Sequence, residues 1–189
     1  MDRRSNQLRI IAGRWRGRKL HFCAAPDLRP TPDRVRETLF NWLAPRLPGA
    51  VCLDLFAGSG ALGFEAASRG AGPVVMVECE ASVAQCLRDN RQRLGADMVE
   101  VVEQDALDYL RAAPRAYEIV FLDPPFAAQR TLRAAMHHLA ESGSLAAGAR
   151  IYVEASATQQ PLDAPPGCKL LKSKRAGQVA FQLYGYADE

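Results

Sequence analysis

From Val51 onward, apolar and polar positions fall into two alternating patterns. Short, nearly continuous apolar runs (V-C-L-D-L-F, P-V-V-M-V-E, M-V-E-V-V-E, Y-E-I-V-F-L-D and R-I-Y-V-E-A) are separated by segments in which apolar residues recur every three or four positions. The separators are A-L-G-F-E-A-A-S-R-G, A-S-V-A-Q-C-L-R-D-N-R-Q-R-L-G, A-L-D-Y-L-R-A-A and R-T-L-R-A-A-M-H-H-L-A-E-S-G. Continuous runs of this length predict strands buried on both faces, and the periodic segments predict helices. Their alternation predicts an α/β fold, a mostly parallel sheet with helices on both faces. Gly70, Gly95 and Gly143 stand where those helices need a C-terminal cap. After Ser156 the pattern changes. A loop with Pro161, Pro165 and Pro166 leads to K-L-L-K-S-K, R-A-G and Q-V-A-F-Q-L-Y-G-Y, an antiparallel hairpin that brings the sheet to seven strands.

Ahead of Val51, L-R-I-I-A-G and R-K-L-H-F flank G-R-W-R-G-R, which predicts a small basic hairpin. T-P-D-R-V-R-E-T-L-F-N-W-L follows and reads as a helix with Thr31 as N-cap, Pro32 at the first helical position, and Val35, Leu39, Trp42 and Leu43 on its apolar face. The expected division is a hairpin extension over residues 1–30 and the sheet-bearing domain over 31–189, packed as one unit. The chain has 189 residues, 48% apolar and 24% charged, the make-up of one globular domain. No apolar run approaches the roughly 18 residues of a membrane span, and M-D-R-R-S-N-Q-L-R lacks a signal-peptide core, so a soluble, cytoplasmic protein without membrane contact is expected. A monomer is the working expectation, which no feature of the sequence decides. The five cysteines show no C-x-x-C spacing and sit mostly in apolar runs, which predicts buried free thiols. His137 and His138 are adjacent on a helix and point apart, so no metal site is expected.

The net charge of +3 conceals an asymmetry. Residues 1–36 hold ten Lys/Arg against three Asp, a balance of +7, which leaves −4 for the other 153 residues. Such a segment is either a solvated terminus or an arm that neutralises phosphates and releases their counterions. Trp15 and Phe22, interleaved with Arg14, Arg16, Arg18, Lys19, Arg29, Arg34 and Arg36, favour the arm.

Four strand ends carry the candidate chemistry. D-L-F-A-G-S-G, residues 54–60, leaves the first sheet strand and opens a helix, and Gly58 and Gly60 allow a ligand to approach the backbone of Phe56 and Ala57. With Gly63 the spacing also fits a dinucleotide pyrophosphate. A carboxylate at Asp54, inside the strand, suits an ammonium group better. Glu78 ends the second strand where an acid can accept both hydroxyls of a ribose, and Gln104-Asp105-Ala106 ends the third where an adenine edge can be held. Each acid also has a bland reading, as a helix cap or surface charge. Asp123-Pro124-Pro125-Phe126 ends the fourth strand. The prolines stiffen the turn and remove backbone donors, so Asp123 and the Pro124 carbonyl can accept both hydrogens of an exocyclic amine while Phe126 stacks on its base. Two fixed acceptors turn a delocalised amine lone pair toward an electrophilic methyl group.

These motifs resemble the amino-methylating class I S-adenosylmethionine-dependent methyltransferases, which have a Rossmann-like fold. Over nearly the whole chain, R-I-I-A-G-R-W-R-G-R-K-L, R-P-T-P-D-R-V-R-E-T-L-F-N-W-L, D-L-F-A-G-S-G-A-L-G-F-E-A-A-S-R-G-A, F-L-D-P-P-F and R-A-G-Q-V-A-F-Q-L-Y resemble the bacterial RsmD family, 16S rRNA guanine-N2 methyltransferases. The resemblance implies S-adenosylmethionine held by Asp54, Phe56, Ala57, Gly58, Gly60, Glu78, Asp105 and Ala106, and a guanine held by Asp123 to Phe126. It also implies a partner in the small-subunit RNA, as the 30S particle or a late precursor. Lys172 to Arg175 form a second basic stretch to which it assigns no role. From the residues alone a DNA amino-methyltransferase, an NAD-dependent oxidoreductase and a non-catalytic RNA-binding assembly factor stay open.

Overall fold

The computed structural model describes residues 6–23, 30–112, 115–125, 127–158 and 163–187; Arg29, Phe126 and Pro161 therefore lie outside the described residues. Among the described residues nine strands run in chain order: β1 (Gln7–Arg9), β2 (Lys19–His21), β3 (Cys52–Asp54), β4 (Val74–Glu78), β5 (Val99–Glu103), β6 (Tyr117–Leu122), β7 (Leu145–Ser156), β8 (Cys168–Ala176) and β9 (Val179–Tyr186). Five helices intervene: α1 (Asp33–Leu43), α2 (Ala61–Ser68), α3 (Ala81–Leu94), α4 (Ala106–Ala112) and α5 (Gln129–Glu141). Strands β3 to β9 form the expected seven-stranded sheet in the order β5-β4-β3-β6-β7-β9-β8, parallel from β5 to β7, with β9 antiparallel to both of its neighbours.

Side chains alternate across the sheet as the pleat requires. Cys52, Val74, Met76, Ile119 and Phe121 pack with α1, α2 and α3, whereas Leu53, Val75, Val77, Val120 and Leu122 pack with α4 and α5. The chain builds outward from β3 to β4 and β5 on one side, then returns to lay β6 and β7 on the other. The crevice where the order reverses, at the carboxyl ends of β3 and β6, is where open α/β sheets bind ligands.

Helix α2 is buried along its whole length, which explains its two glycines. Gly60 adopts φ 77°, and a Cβ there would lie 2.7 Å from the Phe64 ring; a Cβ on Gly63 would lie 2.9 Å from Met76 Cγ on β4. Gly63 is thus required for close packing of helix on strand.

The basic hairpin β1–β2 forms as expected, yet it belongs to the core. Leu8, Ile10, Trp15 and Leu20 are buried in the α1-side cluster, and Phe22 packs against it. Helix α1 corrects a detail of the cap: Pro32 occupies the N-cap position with no side-chain cap, because the Thr31 hydroxyl points away to Asp123. The cysteines correct another. Cys23 and Cys86 are joined in a disulfide with a Cα–Cα distance of 6.3 Å, Cys79 is exposed, Cys168 is half-buried, and Cys52 is a buried free thiol. Asn90, one helical turn from Cys86, brackets His21 with two hydrogen bonds (3.1 and 2.6 Å) and so draws the chain after β2 onto α3.

Candidate active site

Asp54 closes β3 in an environment where 1% of the residue is exposed, and its Oδ2 accepts the Gly63 amide at 2.9 Å. Burial pushes this carboxyl up to about 7; the Gly63 bond opposes the shift, and the charges of Asp123 and Glu78 add to it. A ligand ammonium beside it would restore the ionised form. Glu78, at the end of β4, accepts the Gly58 amide on Oε2 and the Glu80 amide on Oε1, both at 2.9 Å. These bonds bring the glycine loop against the second strand end, while the Ala57 amide reaches the Val77 carbonyl at 2.9 Å. Asp105 caps α4, its Oδ1 accepting the amides of Leu107 (2.8 Å) and Asp108 (3.1 Å), and Ala106 is buried behind it. The Gln104 amide meets the Glu78 carbonyl at 3.0 Å, which sets the second and third strand ends side by side.

A small recess opens between Thr31, Asp54, Phe56, Gly58, Leu62 and Asp123. Asp123 follows β6, and burial pushes its carboxyl up to about 6 against the lowering effect of the Thr31 hydroxyl, which donates to Oδ2 at 2.9 Å. Pro124 is buried and Pro125 exposed. The Pro125 carbonyl accepts the Ala128 amide at 2.8 Å where the chain turns into α5, whereas no amide among the described residues bonds the Pro124 carbonyl. Among the described residues, the Pro124 carbonyl is thus the one of the two that no amide occupies.

Sequence reasoning missed Glu154. Register sets Val153 of β7 beside Leu122, so the next pair along is Glu154 and Asp123. Glu154 is 3% exposed, accepts the Tyr152 hydroxyl at 2.7 Å and lies near the Thr31 hydroxyl that donates to Asp123. Burial, and then the charge of Asp123, push its carboxyl well above the usual carboxylate range. The available signal was an acid interrupting the apolar run R-I-Y-V-E-A. The site is thus a pair of neighbouring carboxyls, one of them held by the Thr31 hydroxyl, next to an ammonium-compatible pocket.

The candidate RNA contacts are dispersed. Arg14, Arg16, Arg18, Lys19 and Arg34 are exposed. Arg36 is corrected: it is 1% exposed, bonds Asp33 at 2.6 Å, Glu65 at 3.5 Å and the Arg9 carbonyl at 3.0 Å, and is a buried tie rather than a phosphate ligand. Trp15, 4% exposed, is core and offers no stacking surface. The hairpin turn rests on the C-terminal ends of α2 and α3, where the Arg14 amide meets the Ser68 carbonyl at 2.7 Å and Arg18 meets the Arg93 carbonyl at 2.8 Å. In parallel βαβ units those helix ends lie at the opposite edge of the sheet from the strand carboxyl ends. Among the described residues no cluster of His, Cys, Asp and Glu is arranged to hold a metal, and no helix is long and apolar enough to cross a membrane.

Strand order, an acid at each of the first three strand ends and the D-P-P loop at the fourth define a class I S-adenosylmethionine-dependent methyltransferase. An RNA methyltransferase from Salinibacter ruber, solved in complex with S-adenosyl-L-homocysteine, shares the fold at TM-score 0.63 and 20% identity over 85% of this chain and 95% of that one. The solved yhhF from Escherichia coli matches at TM-score 0.90 and 44% identity, covering 97% of this chain and 99% of that one. The family described as "Conserved hypothetical protein 95" matches residues 8–185. Ribosomal RNA small subunit methyltransferase D of Escherichia coli (strain K12) is 47% identical over 180 residues, 95% of this chain and 90% of that protein. The chain belongs to this RsmD family.

Proposed function

We propose that the protein transfers a methyl group to the exocyclic N2 amine of a guanine in 16S rRNA, acting in the cytoplasm as a monomer on the small subunit or its late precursor. The observation that carries the reading is Asp123 with the open Pro124 carbonyl, set across the β3–β6 seam from Asp54 and the glycine loop. S-adenosylmethionine, when bound, supplies an electrophilic methyl group. Asp54 would hold its ammonium, Glu78 its ribose, and the Gln104–Ala106 end of β5 its base; the recess and the buried acid at its floor suit that molecule better than a pyrophosphate. Asp123 and Pro124 accept the two amine hydrogens and fix the lone pair toward the recess, and Phe126 covers the base. The nearest acceptor for the proton released on methylation is Asp123. The Thr31 hydroxyl holds the Asp123 carboxylate in place, and Glu154, neutral beside it, spares the site a second buried charge.

The geometry accommodates any flat base with an exocyclic amine. The names of the relatives favour small-subunit rRNA, and the family resemblance favours guanine. Extrusion of a base into this pocket costs least from a single-stranded loop. The test is nucleoside mass spectrometry after incubation with methyl-labelled cofactor and undermodified small subunits. N2-methylguanosine is expected; label in N6-methyladenine, or only in DNA, would remove the acceptor assignment.

A further inference from the structure

Strand β8 is an outer edge of the sheet, and it carries Lys169, Lys172, Lys174 and Arg175 without a single acid on it or on β9 beside it. None of these four cations has an ion pair among the described residues, and positions 169–175 are exposed throughout. Leu170 and Leu171, 45% and 44% exposed, are the large apolar side chains that the described surface leaves open.

Direction and register relate this edge to the active site. β9 is antiparallel to β7 and β8 is antiparallel to β9, so β8 runs the same way as β7 and ends on the edge of the sheet where Asp123 lies. Lys174 pairs with Phe181, and Phe181 pairs with Glu154, the neighbour of Asp123. Three inter-strand steps separate Lys174 from Asp123, about 14 Å. Directly paired residues share a face. Leu183 and Phe181, opposite Lys172 and Lys174, belong to the α1-side core, as does Phe121, two residues before Asp123. Both lysines therefore emerge on the face from which Asp123 projects, unlike the hairpin arginines at the other end of the sheet.

Lysines on an edge strand commonly guard against pairing with another chain. That role accounts neither for two exposed leucines among them nor for cations that follow the register to the catalytic edge. Resting on the RNA reading above, we propose that the β8 edge docks the sugar-phosphate backbone flanking the target nucleotide, with Lys172 and Lys174 neutralising phosphates. A separation of about 14 Å is within reach of the nucleotides flanking an extruded base. The flanking strand thus runs from the D-P-P loop past the end of β7 and onto β8.

The test replaces Lys172 and Lys174 together with Gln, exposed positions whose change leaves the core intact. Binding to 16S rRNA is measured against salt, and KM and kcat on undermodified small subunits and affinity for S-adenosylmethionine are measured alongside. Two lost phosphate contacts flatten the slope of log K on log salt by about 1.4 units; KM rises at least several-fold, with kcat and cofactor affinity retained. An unchanged slope and KM overturn the proposal, and self-association without change in RNA binding identifies β8 as an edge guard only. Absence of methyl transfer by the wild-type protein would overturn the substrate reading instead, and the salt slope judges β8 without turnover.

Discussion

Asp54 and Asp123 face one recess from adjacent strands, and burial raises both carboxyls, to about 7 and about 6. For Asp54 the unfolded value is near 3.8, so between about pH 4 and 7 the folded state holds a proton that the unfolded chain has released. Stability of the ligand-free protein contributed by this group is therefore present at low pH and lost as pH rises toward 7. Asp54→Asn should raise the melting temperature of the ligand-free protein at pH 8 while weakening S-adenosylmethionine by about tenfold or more, the loss of a charged hydrogen bond. Thermal melts with and without cofactor measure both, and a variant that binds cofactor normally would remove Asp54 from the pocket. Asp123→Ala should abolish methyl transfer with cofactor affinity within a few-fold. Wild-type turnover should fall as pH drops through about 6, where Asp123 gains a proton and ceases to accept from the amine. Glu154→Gln, which keeps the neutral form, should retain turnover; Glu154→Ala should lose it by removing the side chain that packs beside Asp123. Equal activity in the two variants would show that Glu154 does not position the acceptor.

Among the elements, the hairpin, α1 and α2 meet at one carboxylate. Glu65 accepts the amides of Ile11 (2.8 Å) and Ala12 (3.0 Å) from the hairpin, Arg36 (3.5 Å) from α1 and Arg69 (2.7 Å) from its own helix. Glu65 and Arg36 are 0% and 1% exposed, so removal of one partner strands the other in the core. Glu65→Ala should cost about 3–5 kcal/mol. Trp15→Ala, a buried aromatic lost from the same junction, should cost about 3–5 kcal/mol. Urea denaturation measures both, and the Trp15 variant should keep the salt dependence of RNA binding, since the ring contacts no ligand. The elements themselves were legible because strand and helix periods are local. The role of the hairpin was not: its arginines and its tryptophan sit side by side in sequence, and only contact with α2 separates the solvated side chains from the buried ones.

For the molecule as a whole, the order of the strands is the main consequence of that local pattern. Five β/α repeats and a terminal hairpin allow few topologies once crossovers are right-handed and short, and these put D-L-F-A-G-S-G, Glu78, Asp105 and D-P-P at one edge of one sheet. The sequence by itself therefore determined the fold class, the catalytic edge and the chemical types gathered there. Tertiary structure alone decided which side chains meet across it. Thr31 reaches Asp123 from 92 positions away in the chain, Glu65 binds Ile11 across 54, and Cys23 joins Cys86 across 63. Glu154 becomes the neighbour of Asp123, Arg36 is withdrawn from the basic surface, and Lys174 falls in line with the site, all by lateral register or by one helix face docking on another. A residue's type and its local period specify the direction of its side chain relative to its own element. They carry no information on what the neighbouring element presents opposite, because that is selected by packing the whole core at once.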